Sequence, residues 1–412
     1  MINPIANPDQ FAAEADVVAM WKDERIHQAR DVVKMMYQRA YGDRRPAEAL
    51  PAFDQSVDEY VTNWMFKAVA SDTQHPRFVR DFMKAYHWHG HDVPGSRTGG
   101  DNPDNCYRLA GIGHGTAYRI TGKVIGKQPA NVTFTLTANY GTSVTIQTID
   151  DHLLERAADG SFVITVDDQP ANGRPNHMTT APHVKFMYVR DSMSDWSTET
   201  PFDLTIERLG EAKAPPLTLD QMIEAAAFRM KEDVPLYFWF HSLSLNRTIN
   251  TMTPASGPKG LGGLVTQSMS HAMFDLDEDQ GVIVEYEPAG ARYVAVQLTD
   301  WYFRSLDYGE IQSSLTRDQS AIDSDGRIRV VIARRDPGVA NWIDTGGLAV
   351  VLLIMRWQGR PSIEVRGGPW CQMKLVKLAD LTTELPADTT WFTAEQRKAQ
   401  LDQRHADFAR RF

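Results

Sequence analysis

Between residues 116 and 209 the chain alternates apolar and polar positions in short runs: TAYRITGKV, NVTFTLTANY, TSVTIQTI, GSFVITVDD, VKFMYVRD and FDLTIERL. A period of two with turn residues between runs predicts half-buried antiparallel strands, enough of them to close a sandwich. Upstream the period is helical. Asn7-Pro8-Asp9-Gln10 carries a helix-start signature, after which Phe11, Val18, Trp21, Val32, Met36 and Tyr37 recur at helical spacing. A second helix is predicted from Pro51 to Ala70, and a third from about Arg77, where Phe78, Phe82 and Tyr86 lie four apart. The segment 94–105 is rich in Gly, Pro, Asn and Asp and reads as a loop. After KAPP (213–216), Thr218-Leu-Asp-Gln221 opens a helix expected to reach about Met252 with an interruption near Pro235. The Gly-rich string SGPKGLGG (256–263) leads into a second β-rich block that ends near Leu381, and Thr393-Ala-Glu-Gln396 opens a C-terminal helix.

The two β-rich blocks resemble one another. TAYRITGKV, IDDHLLERAADGSFVITV, GRPNHM and VKFMYVRD stand against ARYVAVQLTD, LTRDQSAIDSDGRIRVVI, GVANWI and VVLLIMRW. Asp159-Gly160 matches Asp325-Gly326, Asn176 matches Asn341, and Arg190 matches Arg356. Three landmarks in one order at near-equal spacing predict a duplicated module, since the period is too long for a solenoid. The expected fold is mainly β with helical additions, as two tandem antiparallel β-sandwich modules of jelly-roll-like type. An N-terminal helical region spans 1–98, the first module 99–212, a helical connector 213–262, the second module 263–382 and a C-terminal helical tail 383–412.

Composition narrows the function. The 412 residues carry a formal charge of −10, and the basic residues are scattered, which argues against nucleic acid. The clearest apolar run, Leu348 to Met355, is too short to cross a bilayer. The first residues lack a secretory signature, and two cysteines, Cys106 and Cys371, make no disulfide framework, so a cytoplasmic protein without membrane contact is expected. Ten tryptophans and thirteen tyrosines fit either core packing or an aromatic-walled ligand pocket.

The string DPGVANWIDTGGLAVVLLIMRWQG (336–359) resembles the signature of the bacterial "domain of unknown function 1214" family. GGDNPDNCYRLAGI (99–112), RDSMSDWSTETPFDLTIERLG (190–210), FDLDEDQGVIVEY (274–286) and VQLTDWYFRSLDYGEIQSSL (296–315) resemble it too. The resemblance implies a double jelly roll and a homo-oligomer, and assigns no chemistry.

Several constellations are candidates for chemistry. In Tyr86-His87-Trp88-His89-Gly90-His91, a strand would place His87, His89 and His91 on one face for a metal, whereas a helix would make only His87 and His91 neighbours. The preceding aromatic spacing favours a helix ended by Gly90. Tyr107 and Arg108, beside Asp101, Asp104 and Asn105, read either as turn chemistry or as ligand-facing groups. Trp239 and His241, followed by Asn246 and Asn250, line either a site or an interdomain contact, with His271 a lone candidate base. Asp300, Trp301, Tyr302, Asn341, Trp342 and Arg356 form either a polar pocket or a satisfied buried network.

Nucleotide, serine-hydrolase and flavin motifs are absent. The leading expectation is a cofactor-independent lyase or isomerase acting on an aromatic or polycyclic small molecule, for example by retro-aldol release of an aldehyde. His89, Tyr107, Arg108, His241, Asp300 and Tyr302 are its expected catalytic groups, with Trp88, Trp239, Asn246, Asn250, His271, Trp301, Asn341, Trp342 and Arg356 binding substrate. The alternatives are a non-catalytic ligand- or glycan-binding or assembly protein, and a metal enzyme using His87, His89 and His91.

Overall fold

A computed structural model describes residues 3–141, 144–257, 264–360 and 367–412. The first helical stretch is two helices, α1 (Pro8–Met20) and α2 (Glu24–Tyr41), because Asp23 turns the chain and caps α2. Helix α3 (Phe53–Val69) buries nearly every side chain, and α4 (Leu219–Leu245) opens with the expected capping box. The interruption expected at Pro235 does not occur, and α4 ends at Leu245, short of Met252. A short α5 (Leu381–Glu384) precedes α6 (Ala394–Ala409), whose Thr393 cap is the one expected.

No helix follows Arg77. The segment instead forms β1 (Val79–Asp81) and a hairpin of β2 (Tyr86–Trp88) with β3 (His91–Val93). His89 and Gly90 both take positive φ, the backbone of a two-residue hairpin turn, and this overrides the four-residue aromatic spacing.

The first sandwich comprises β4 (Asn105–Gly111), β5 (Tyr118–Lys123), β6 (Asn131–Ala138), β7 (Val144–Asp150), β8 (Ser161–Asp167), β9 (His177–Thr179), β10 (Val184–Ser192) and β11 (Asp203–Arg208). The second comprises β12 (Thr251–Met252), β13 (Gln267–Asp275), β14 (Gln280–Tyr286), β15 (Tyr293–Thr299), β16 (Ser314–Thr316), β17 (Ile328–Ala333), β18 (Trp342–Asp344), β19 (Val350–Gln358) and β20 (Cys371–Lys377). The five-stranded sheets run β1-β4-β10-β6-β7 and β12-β13-β19-β15-β16, and the four-stranded sheets β11-β5-β8-β9 and β20-β14-β17-β18. Strand for strand the orders coincide. Each module also carries one parallel pair, β8 with β9 and β17 with β18, inside otherwise antiparallel sheets.

The equivalences shift one expected match: β5 (TAYRITGKV) corresponds to β14, and ARYVAVQLTD forms β15, the counterpart of β6. The landmarks hold. Gly160 and Gly326 take φ near +80° in the turns before β8 and β17. Asn176 brackets the backbone of Glu155, and Asn341 that of Ala321, each through an accepting Oδ1 and a donating Nδ2 at 2.7–2.9 Å. The Gly-rich string lies mostly outside the described residues.

Each sandwich has its own apolar interior, with Ile120, Phe134 and Val189 in one and Val284, Val296 and Leu353 in the other. A third cluster decides where the site lies. Helix α3 packs against β1 of the first five-stranded sheet and α4 against β13 of the second, with α2 laid on both helices, and one apolar cluster joins them to Leu109, Phe186 and Tyr188 of one sheet and Met273, Leu352 and Ile354 of the other. Side chains alternate along strands, so the positions flanking these apolar ones on the same faces lie in the seam between the modules.

Candidate functional site

One row of seam positions is polar. Asp81 pairs with Tyr107, Tyr107 with Arg190, Arg190 with Thr133 and Thr133 with Asp150, so five side chains cross the first five-stranded sheet on one face. Cross-strand neighbours stand about 5 Å apart, within interaction range. The Arg190 guanidinium carbon lies 6.0 Å from the Tyr107 ring centre and 5.3 Å from that of Tyr188. Arg356 occupies the equivalent position on β19, opposite Met269 and Ala295. It bonds Gln297 and donates to the Gly100 carbonyl at 2.6 Å.

Helix α3 covers the row. Glu59, Asn63 and Lys67 recur every four residues, one stripe of polar groups on a buried helix. Asn63 reaches Asp81 at 3.4 Å, and the Lys67 ammonium sits 4.4 Å over the Trp64 ring. Glu59 is spent on structure: it takes a bidentate pair from Arg97 at 2.6 and 2.8 Å and a third bond from Arg304 at 3.0 Å.

The electrostatics of the row are unusual. Burial pushes the Asp81 carboxyl up to about 7, opposed by the charges of Lys67 and Arg190. Burial lowers the Lys67 pKa. Burial raises the Tyr107 phenol, against which Arg356 and Arg190 both pull. His271, half-buried on β13, is held neutral, its pKa pressed to about 3 by burial and by the charges of Arg247 and Arg356. Asp81 Oδ1, Asn63 Oδ1, Thr133 Oγ1 and Arg190 Nη1 are buried and have no hydrogen-bond partner among the described residues. Such groups are costly in a core, which makes this stretch of sheet and helix a candidate site for a polar ligand. Chemically the row offers a carboxyl raised to about 7, a phenol and one guanidinium, and the second module's sheet brings the Arg356 guanidinium and the His271 imidazole to the seam.

Three expected site residues, Tyr107, His271 and Arg356, therefore belong to the seam. Most of the others do not. Arg108 points to the opposite sheet face, where it bonds Asp191 at 2.6 Å and the Phe202 carbonyl at 2.7 Å inside the first sandwich. Asp300 Oδ2 accepts from two Arg304 N–H groups at 2.7 and 3.0 Å, and its Oδ1 caps its own turn. The Tyr302 hydroxyl donates to the Ala49 carbonyl at 2.9 Å. His241 is fully buried, shares a 2.9 Å hydrogen bond with the Tyr41 hydroxyl and stacks on Phe303; burial presses its pKa to about 3.

The substrate-binding expectations divide in the same way. Asn341 ties loop backbone, and the Trp342 indole donates to the Ala333 carbonyl at 3.1 Å. Asn246 and Asn250 serve helix-end and turn geometry, Trp301 is core, and Trp239 is exposed. In the hairpin, His87 pairs with Asp92 and His91 with Trp88, which puts His87 and His91 on opposite faces. His89 stacks on Phe11 at 3.6 Å, and Trp88 packs beside it. No group of three or more His, Cys, Asp or Glu able to hold a metal occurs among the described residues.

Asp81, Asn63, Lys67 and Arg190 were not among the expected site residues. The signals available were the four-residue polar stripe on an otherwise apolar α3, and the match of Arg190 to Arg356 across the duplication.

No family model and no curated protein matches the chain. Among solved structures, an uncharacterized protein from Burkholderia cenocepacia is similar with a TM-score of 0.70 at 23% identity, covering 89% of this chain and 100% of its own. The VPA0106 protein from Vibrio parahaemolyticus aligns at 11% identity with a TM-score of 0.43, covering 79% of this chain and 99% of its own. The first likeness establishes the fold as one shared with another protein. No helix among the described residues is long and apolar enough to cross a membrane.

Proposed function

We propose that the chain is an acid–base enzyme, a lyase of the retro-aldol kind, acting in the seam on a small aromatic molecule that bears a carbonyl and a β-hydroxyl group. The observation that carries this reading is the shared row of Asp81, Tyr107 and Arg190, a proton acceptor, a phenol and a cation at successive cross-strand positions. A carboxyl titrating near 7 suits proton transfer at neutral pH. In the proposed step the ionised Asp81 takes the hydroxyl proton. The carbon–carbon bond then breaks, the aldehyde leaves, and the electron pair moves to the carbonyl oxygen as an enolate. Arg190 and Arg356 stabilise that oxyanion, and Tyr107 orients it. The proton on Asp81 returns to the enolate carbon, so nothing is oxidised and no cofactor is consumed. Tyr188 and Phe82, whose ring lies 4.8 Å from Tyr107, supply aromatic wall for the substrate. The resemblance of 336–359 to the "domain of unknown function 1214" family adds a fold to this reading and no chemistry.

The test is aldehyde release from a panel of β-hydroxy aryl ketones and hydroxyalkyl phenols. Turnover of at least one member is expected, with Asp81→Asn and Tyr107→Phe each lowering it by about 100-fold or more. Absence of turnover across the panel, or full turnover in both variants, rejects the proposal. A large oligomer that binds panel members unchanged favours a binding protein instead.

A further inference from the structure

A second feature lies on the other face of the same sheet. Arg80, between Val79 and Asp81 on β1, points away from the seam into a cavity of about 310 Å³, which it lines with Met83, Cys106, Met193, Trp196 and Arg411. Ile5 and Phe412 lie on the same wall, as do two carboxylates, Glu199 and Asp407. The volume is at the small end of ligand pockets, room for a single-ring molecule.

The arginines are only half satisfied. Arg80 is 2% exposed, and the rings of Tyr86, Trp88 and Phe412 stand 4.9–5.1 Å from its guanidinium carbon. Aromatic contacts satisfy the flat face of a guanidinium, whereas its edge N–H groups need acceptors. Nη1 has one in the Arg411 carbonyl at 2.8 Å, but Nε and Nη2 have none among the described residues. The nearest carboxylate, Glu14, is 3.7 Å from Nη2, beyond hydrogen-bond reach. Arg411 repeats the pattern: its guanidinium packs on Trp196 at 4.4 Å and donates once, to the Pro103 carbonyl, while its Nε and Nη2 find no partner among the described residues. Among the described residues neither lining carboxylate forms an ion pair with these arginines: Asp407 accepts from the Ser197 hydroxyl and the Gln403 amide at 2.8 Å, and Glu199 Oε2 accepts from the Ser194 and Ala130 amides at 2.7 and 3.2 Å. The Glu199 position is therefore fixed by backbone. Burial pushes that carboxyl up to about 7.

We propose that this cavity is a binding site for a small aromatic carboxylate, whose two oxygens meet the edge N–H groups of Arg80 and Arg411 and whose ring lies among Met83, Met193 and Trp196. The site is separate from the seam and stands whether or not the seam is catalytic. Glu14 offsets part of the Arg80 charge and Asp104 part of the Arg411 charge, but neither fills the edge donors, and a bound carboxylate supplies the missing acceptors.

Phenylacetate titrated into the full chain, followed by calorimetry and by tryptophan fluorescence, tests this. It is expected to bind with Kd below about 1 mM, and neutral phenylacetamide at least about 10-fold more weakly. Arg411→Gln should bring the acid down to the level of the amide, and Met193→Trp, which fills the cavity, should abolish binding of both. Tyr107→Phe, on the other face, should leave phenylacetate affinity unchanged. The proposal is overturned by a wild-type Kd above about 1 mM, by equal affinity for acid and amide, or by loss of binding in Tyr107→Phe with retention in Arg411→Gln. Should Met193→Trp fail to fold, the Arg411→Gln comparison still decides.

Discussion

Replacing Asp81 by Asn removes one ionisable proton and almost no volume, so its effect isolates the cost of a buried negative charge. The Asp81 carboxyl is 1% exposed, and its pKa stands at about 7 in the fold against 3.8 for the free group. The folded state therefore holds the proton more tightly than the unfolded chain. Its stabilising contribution is full below pH 3.8 and is lost as pH rises to 7, where the difference amounts to about 4 kcal/mol. Between pH 5 and pH 8 the share lost is about 2–3 kcal/mol, because the unfolded carboxyl is already ionised at pH 5. Urea unfolding of wild type and Asp81→Asn at both pH values gives the double difference, in which titrations of groups that do not interact with Asp81 cancel and only its coupling to Lys67 remains. Asp81→Asn should gain about 2–3 kcal/mol on wild type between pH 5 and pH 8. Nearby Lys67, Arg190 and Asn63 keep their identity in the variant, so a double difference near zero refutes the claim that burial raises the Asp81 pKa to about 7.

Arg108→Met should destabilise the chain by about 3–5 kcal/mol in urea unfolding, because it strands the buried Asp191 carboxylate; a loss under about 1 kcal/mol contradicts the structural role given to that pair. Alanine at His87, His89 and His91 together should shift unfolding by no more than about 1 kcal/mol and leave aldehyde release intact, since His87 and His89 are exposed on the hairpin; a loss of activity returns the hairpin to the site. His241, neutral in the fold with a pKa near 3 against 6.5 when free, contributes stability that is full above pH 6.5 and lost as pH falls toward 3. His241→Phe should flatten that acid limb, worth about 1.4 kcal/mol per pH unit, and an unchanged slope between pH 6 and pH 4 contradicts it.

The duplication was legible because a sandwich strand repeats its side-chain period and its turn residues: the Asp-Gly turns and the bracketing asparagines keep their places even where the strands have diverged. Pairing TAYRITGKV with ARYVAVQLTD went one strand astray because alternation alone does not distinguish neighbouring strands of one sandwich. The histidine string misled for a local reason. Phe78, Phe82 and Tyr86 have helical spacing, but His89-Gly90 takes the two positive φ angles of a tight turn, and tertiary packing on α1 decides between them.

The site was less legible than the fold. Polar residues beside aromatic ones at 107–108 and 300–304 looked alike in sequence, yet alternation sends Tyr107 to the seam and Arg108 into a closed ion pair. Asp300 and Arg304 satisfy each other within one turn, which composition does not reveal. Asp81 was hidden by the helix expected there, and it joins the row only through its pairing with Tyr107 across two strands.

The most direct test is a crystal structure of the Asp81→Asn variant, the one expected to bind without turnover, with 4-hydroxyphenyl 2-hydroxyethyl ketone. The ligand is expected against Tyr107, with its carbonyl oxygen between Arg190 and Arg356 and its hydroxyl toward residue 81. Ligand found only on the opposite face of the sheet, beside Arg80 and Arg411, or a seam in which other protein groups occupy both the Arg190 guanidinium and the space beside Tyr107, contradicts the account.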